Sequence, residues 1–121
     1  MRRRRWRFYE TAGGSAPVRT FLDSLSVEEA AEVVAAMKEV AREGLRVARH
    51  LRGDIWEVRI AADTKAFRVL FSPEGESQQV LLALEAFPKK TQKTPAHIIR
   101  LAERRLSDWR SRGRGKRPRQ S

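Results

Sequence analysis

Apolar residues recur along this chain with two periods, and the switches between them mark its elements. Arg5–Glu10 alternates long cationic and aromatic side chains, which predicts a first strand with Trp6 and Phe8 on one face. Ala12-Gly13-Gly14 breaks that strand. Ser15 reads as an N-cap, and Val18, Phe21, Leu22 and Leu25 fall at i, i+3, i+4 and i+7 of a short amphipathic helix. Ser26 and Glu29 have capping-box spacing ahead of a second helix. Its buried stripe is Ala30, Val33, Val34, Met37, Val40 and Ala41, with Glu28, Glu32, Glu39 and Glu43 toward water and Gly44 closing it.

Leu45–Gly53 reads as a basic connector carrying Arg46, Arg49, His50 and Arg52. The period then becomes two. In Asp54–Ala61, Trp56, Val58 and Ile60 share a face, opposite Ile55, Glu57 and Arg59; in Lys65–Ser72, Phe67, Val69 and Phe71 share a face, opposite Ala66, Arg68 and Leu70. Ala62-Asp63-Thr64 is short enough to make these two a hairpin. The apolar sets must point the same way, so Arg59 and Arg68 must share the other face. Like charges so placed repel unless an acid or an anion lies between them, and Glu57 or Glu85 could be that acid. Ser72–Ser77 reads as a turn, and Gln78–Phe87 as the most apolar strand, buried on both faces. Thr94-Pro95 looks like an N-cap followed by an N1 proline, opening a helix with Ile98, Leu101, Ala102, Leu106 and Trp109 on one side. The predicted fold class is α+β, in the order β-α-α-β-β-β-α. Its mostly antiparallel four-stranded sheet carries the helical hairpin and is followed by a C-terminal helix.

Charge changes the picture mainly at the ends. Of the 26 basic residues, 11 lie in Arg2–Arg7 and Arg110–Arg119, so the formal net charge of +11 belongs to the termini. The predicted divisions are a basic extension over residues 1–4, a domain over 5–110 and a disordered basic tail over 111–121. Within the chain, residues 8–43 carry −4 and residues 44–109 carry +4. Such a dipolar domain with basic ends suits a nucleic-acid environment, though tails alone bind any polyanion. There is no cysteine, which excludes disulfide and thiolate chemistry, and no apolar run long enough to cross a membrane. A basic start without an apolar stretch behind it is not a secretory signal, so a cytoplasmic protein is expected.

Candidate chemistry centres on Leu84–Pro95, LEAFPKKTQKTP, where a strand gives way to a turn holding Lys89, Lys90 and Lys93. With Arg59 and Arg68 these cations form a phosphate-binding rim, and Arg49 and Arg52 extend it as further RNA contacts. His50 and His97 lack metal-ligand spacing, so neither a metal nor a cofactor is expected. Glu57 and Glu85 are better explained as ion-pair partners than as an acid–base pair. Cleavage of RNA by its own 2′-hydroxyl needs proton transfer and charge neutralisation, which guanidinium and ammonium groups can supply. A non-catalytic RNA-binding surface fits the same residues equally well.

Over roughly residues 6–106 the chain resembles the bacterial HigB/RelE-type toxins of type II toxin–antitoxin systems, particularly their phage-derived branch. The resemblance rests on Gly14–Leu22, on Leu51 ahead of Ile55–Arg59, on Phe67–Phe71, and most specifically on Phe87–Pro95. It implies a ribosome-dependent mRNA endoribonuclease that cuts mRNA in the A site. The implied partners are the ribosome, mRNA and a helix-turn-helix, HigA-like antitoxin, with operator DNA reached only through the antitoxin complex. By position, Arg68 would stabilise the transition state, Arg59, Lys89 and Lys90 would complete the catalytic set, and Lys93 would position RNA. The alternative is a degenerate, non-catalytic member of the same fold that binds nucleic acid or ribosomes. The general base is unassigned, since no tyrosine or histidine near the C-terminus matches the one some relatives use.

Overall fold

The computed structural model describes residues 3–62 and 65–116, with side chains through Gly113. Met1, Arg2, the Asp63-Thr64 part of the predicted hairpin turn, and the end of the chain beyond Lys116 lie outside the described residues. Strand β1 (Arg5–Phe8) leads to helices α1 (Pro17–Asp23) and α2 (Val27–Glu43) and a short 3-10 turn (Gly44–Val47). Strands β2 (Arg49–Arg52), β3 (Ile55–Ala61), β4 (Ala66–Glu74) and β5 (Val80–Pro88) follow, and α3 (Ala96–Lys116) ends the described chain. The sheet order is β1-β5-β4-β3-β2, with β1 parallel to β5 and the other pairs antiparallel.

The α+β class and mostly antiparallel sheet are as the sequence predicts, but there are five strands rather than four. The extra one, β2, comes from the stretch read as a connector. Its RHLR sequence offers no apolar alternation, because an edge strand there is mostly exposed on both faces. Strand β4 also runs on through Pro73 and Glu74, where a turn was expected. Proline fits because β3 begins only at Ile55 and its ladder with β4 reaches no further than Trp56 opposite Phe71, so β4 at Pro73 pairs with Leu81 of β5 alone and no second ladder needs its missing N–H.

The sheet is covered on both faces. Val58, Ile60, Phe67, Val69, Phe71, Leu81 and Ala83 pack against Val18 of α1 and Val33, Met37 and Val40 of α2. On the other face Ile55, Leu70, Leu82 and Leu84 pack against Ala102 and Leu106 of α3, with Tyr9 joining them. The ladder shifts register between β4 and β5 at Leu70/Phe71, where Glu85 pairs with Leu70 and Ala83 with Phe71, leaving Leu84 as the extra residue. That bulge reverses the parity of β5, so Ala86 joins the α1–α2 side and Phe87 the α3 side.

The helix ends divide between expectation and revision. Ser26 and Glu29 form the predicted capping box. The α1 N-cap is Ala16 rather than Ser15, with Pro17 at the first turn. In the α2 stripe Val34 is 38% exposed rather than buried, because α2 meets the sheet along the narrower row Val33–Met37–Val40. Gly44 ends α2 with φ +84°, and a Cβ there would lie 2.8 Å from the Arg4 guanidinium. Arg4 in turn donates to the carbonyl of Ala41 at 3.1 Å, placing a cation at the negative end of α2.

Helix α3 continues through Lys116, into the stretch from Ser111 where the sequence suggests a disordered tail. Glycine- and arginine-rich composition hides its anchors. Arg110 donates to Glu74 at 2.7 and 3.0 Å and to Asp54 at 3.0 Å, and these bonds hold its pKa above the ordinary arginine value. Arg112 donates to Asp108 and to the carbonyl of Glu10, and the Tyr9 hydroxyl donates to Asp108 at 2.6 Å. No helix among the described residues is long and apolar enough to cross a membrane.

Candidate nucleic-acid interface

On the α3 face, beyond the end of that helix's hydrocarbon contact, β3 and β4 bring together the residues that the alternation places there. Arg59 and Arg68 are directly opposed in the β3–β4 register, and Arg49 of β2 is opposed to Glu57. Two guanidinium groups on neighbouring strands, Arg59 and Arg68, thus meet one carboxylate, and exposed Arg49 lines the cleft beside them. Glu57 is fully buried and accepts from Arg59 Nε at 2.9 Å through one oxygen. Its other oxygen accepts from the Thr94 hydroxyl and lies 3.7 Å from Arg68 Nη1. Of the two acids the sequence offered, Glu57 is the one between the arginines. Glu85 pairs with Arg105 at 3.1 Å instead.

Arg68 is only 1% exposed, although the lysine-rich turn was expected to leave it on an open rim. Its Nη1 donates to Thr94 Oγ1 at 2.8 Å, and its Nη2 to the carbonyls of Gln92 at 2.6 Å and Thr91 at 3.2 Å. Its buried Nε has no partner among the described residues. Burial is the main influence pulling the Arg68 pKa below the ordinary arginine value; Glu57 opposes the shift, and Arg59 and Arg49 add to it. Arginine remains a cation in neutral solution, so Arg68 fixes the loop after β5 from beneath. Thr94 was read as a helix N-cap, but its hydroxyl is spent as the relay from Arg68 to Glu57. Pro95 supplies the carbonyl that accepts from Ile98 at 3.1 Å at the start of α3.

The predicted site residues divide into groups. Arg49, Arg59 and Lys93 line one cleft of about 470 Å³ together with His50, Gln92 and Thr94. Lys90 lines a neighbouring cleft of about 320 Å³ with Arg68, Phe87 and His97. Lys89 stands at the exit of β5, its N–H donating to the carbonyl of Ala66 at 2.8 Å. Arg52 is drawn away: its guanidinium makes bonds of 2.8 and 3.0 Å with Glu103 of α3. His50 Nε2 lies 2.8 Å from the carbonyl of Gly53, and its ring rests 5.0 Å from Trp56. Among the described residues no group of three or more histidines, cysteines or carboxylates could hold a metal ion. The element sequence reasoning missed is the Thr91–Thr94 backbone. Its only signal was a TQKT turn directly after a strand facing buried charge.

Fold and cluster together define a small α+β domain that carries an arginine-rich cluster on the α3 face of its sheet. The chain belongs to the family described as Phage derived protein Gp49-like (DUF891), whose model matches residues 20–107. That is a RelE/HigB-like toxin family, and membership implies an antitoxin partner. Among curated proteins none matches the chain.

Proposed function

We propose that this chain is a ribosome-dependent mRNA endoribonuclease, the toxin of a type II pair whose HigA-like antitoxin links it to operator DNA. It would act in the cytoplasm, where ribosomes present mRNA in the A site. The observation that supports the reading is the excess of positive charge around Glu57. Arg59 and Arg68 share that one carboxylate, and Arg49 and Lys93 have no ion-pair partner among the described residues, so the cleft between Arg49, Arg59 and Lys93 attracts an anion. Arg59 and Arg49 would neutralise the pentacovalent phosphorane formed when a 2′-hydroxyl oxygen attacks the adjacent phosphorus. The hydroxyl proton is lost to a base, and the 5′-oxygen departs with a proton, leaving a 2′,3′-cyclic phosphate. Lys89 and Lys90, beside the loop, are the proposed proton carriers, and Lys93 orients the strand. Arg68 acts through the Thr91–Thr94 loop as a positioning residue. No step requires a resident metal.

The burial of Arg68 favours a second reading, in which the same fold binds nucleic acid or ribosomes without cutting. Cell-free translation with primer-extension mapping separates the two. The toxin reading expects cuts that require ribosomes and fall about 100-fold with Arg59→Ala. A folded wild-type protein that produces no cuts would establish the binding reading instead.

A further inference from the structure

The opposite edge of the sheet carries a second cleft, of about 570 Å³, between β1, the outer side of α1 and the last turns of α3. Three strand spacings separate β1 from β3, which carries Glu57, so across the sheet the two sites are roughly 14 Å apart. Its walls are Arg7 and Phe8 of β1, Arg19 of α1, and Trp109 and Arg112 of α3, with Glu10 at the rim. All of these residues fall outside residues 20–107, the segment that the family model matches.

Its cations are not equivalent. Arg112 is neutralised by Asp108 at 2.8 Å and serves to fasten α3. Arg19 lies over the Phe8 ring, 4.7 Å from its centroid, a contact that holds the guanidinium without cancelling its charge. Neither Arg19 nor Arg7 has an ion-pair partner among the described residues. Both are exposed, while Phe8 and Trp109 are half-buried. Uncancelled guanidiniums interleaved with aromatic rings suit a single-stranded nucleic acid, whose phosphates take the cations and whose bases take the ring faces. Because β1 is an edge strand, the cleft is also open along its length.

We propose that the β1–α3 cleft is a second binding site for single-stranded RNA, separate from the Glu57 cluster and independent of any cleavage there. The test is fluorescence anisotropy of the full chain with a labelled 2′-O-methyl oligouridylate of about ten nucleotides. That probe lacks the hydroxyl needed for self-cleavage, so the result does not depend on the toxin reading. Arg7→Ala with Arg19→Ala is expected to weaken binding about 10-fold and to reduce the salt slope by about 1.4. Glu10→Gln is expected to tighten it. A charge-matched control, Lys38→Ala with Arg42→Ala on exposed positions of α2, is expected to stay within about 2-fold. Equal weakening by that control, or unchanged affinity in the cleft variant, would overturn the proposal. So would displacement of the RNA by polyglutamate as effective as that by unlabelled RNA, which would mark an acidic-peptide surface.

Discussion

Toward α1 and α2 the sheet presents Val58, Ile60, Phe67, Val69 and Phe71, and the core it builds there is hydrocarbon. Toward α3 the same two strands present Ile55 and Leu70, but also Glu57, Arg59 and Arg68. The first face is held by area removed from water and tolerates any close-packed apolar set. The second holds charges whose desolvation is offset only while each has its partner. Two faces of one hairpin, one residue apart in phase, thus divide the work. One stabilises the fold; the other fixes the loop that carries Lys93 beside Arg49 and Arg59.

The largest test of that contrast is to remove one charge. Glu57→Met alone should cost about 3–5 kcal/mol in urea denaturation, because it leaves Arg68 buried without its carboxylate. Phe71→Ala on the opposite face should cost a similar ~3–5 kcal/mol. The difference lies in rescue. Adding Arg68→Met to Glu57→Met should restore most of the loss, since two apolar side chains replace a mutually dependent pair. If the double variant is as unstable as the sum of its parts, the two charges are not a unit.

Next in size is Thr94→Val, which keeps the shape and deletes the hydroxyl between Arg68 and Glu57. It should cost about 1–3 kcal/mol, and a neutral result would deny the relay. Ser26→Ala on the α2 side removes only the capping box and should cost ~1 kcal/mol, with no effect on RNA cleavage.

The smallest expected effect is acid sensitivity. Glu103 is held below its ordinary pKa chiefly by the Arg52 guanidinium, and Asp108 chiefly by hydrogen bonds from Arg112 and then Tyr9. Folded pKa values below the unfolded ones mean stability that is present above about pH 4 and lost as pH falls through the folded values. Both carboxylates anchor α3. Acid titration followed by amide exchange should therefore loosen α3 before α2, and Arg52→Ala should reduce the acid dependence. The pairs are largely exposed, so the change should be modest.

How much of this could be read from the chain follows the same division. Strict alternation placed Trp56, Val58, Ile60, Phe67, Val69 and Phe71 on one face and forced Arg59 and Arg68 onto the other. Glu57 or Glu85 followed as an acid able to separate them, and only the contacts single out Glu57. Period-two logic cannot see partners far away in sequence, so Thr94 passed for a helix cap and Arg68 for a surface cation. It also cannot see a bulge: Leu84 looks like one more apolar residue until its extra position turns Phe87 to the α3 side. Strand β2 and the end of α3 were hidden for a different reason. They hold their places through edge pairing and through bonds of Arg52, Arg110 and Arg112, none of which leaves a hydrophobic period.

The account turns on the buried pair serving the loop rather than the fold, and one measurement addresses that directly. The Glu57→Met/Arg68→Met protein, confirmed as folded, should be assayed for ribosome-dependent mRNA cleavage beside wild type. Near-wild-type stability with cleavage lost is the predicted result, because the Thr91–Thr94 carbonyls would have lost their guanidinium clamp. Cleavage at the wild-type rate would contradict it, and would mean that the loop and its lysines need neither charge beneath them.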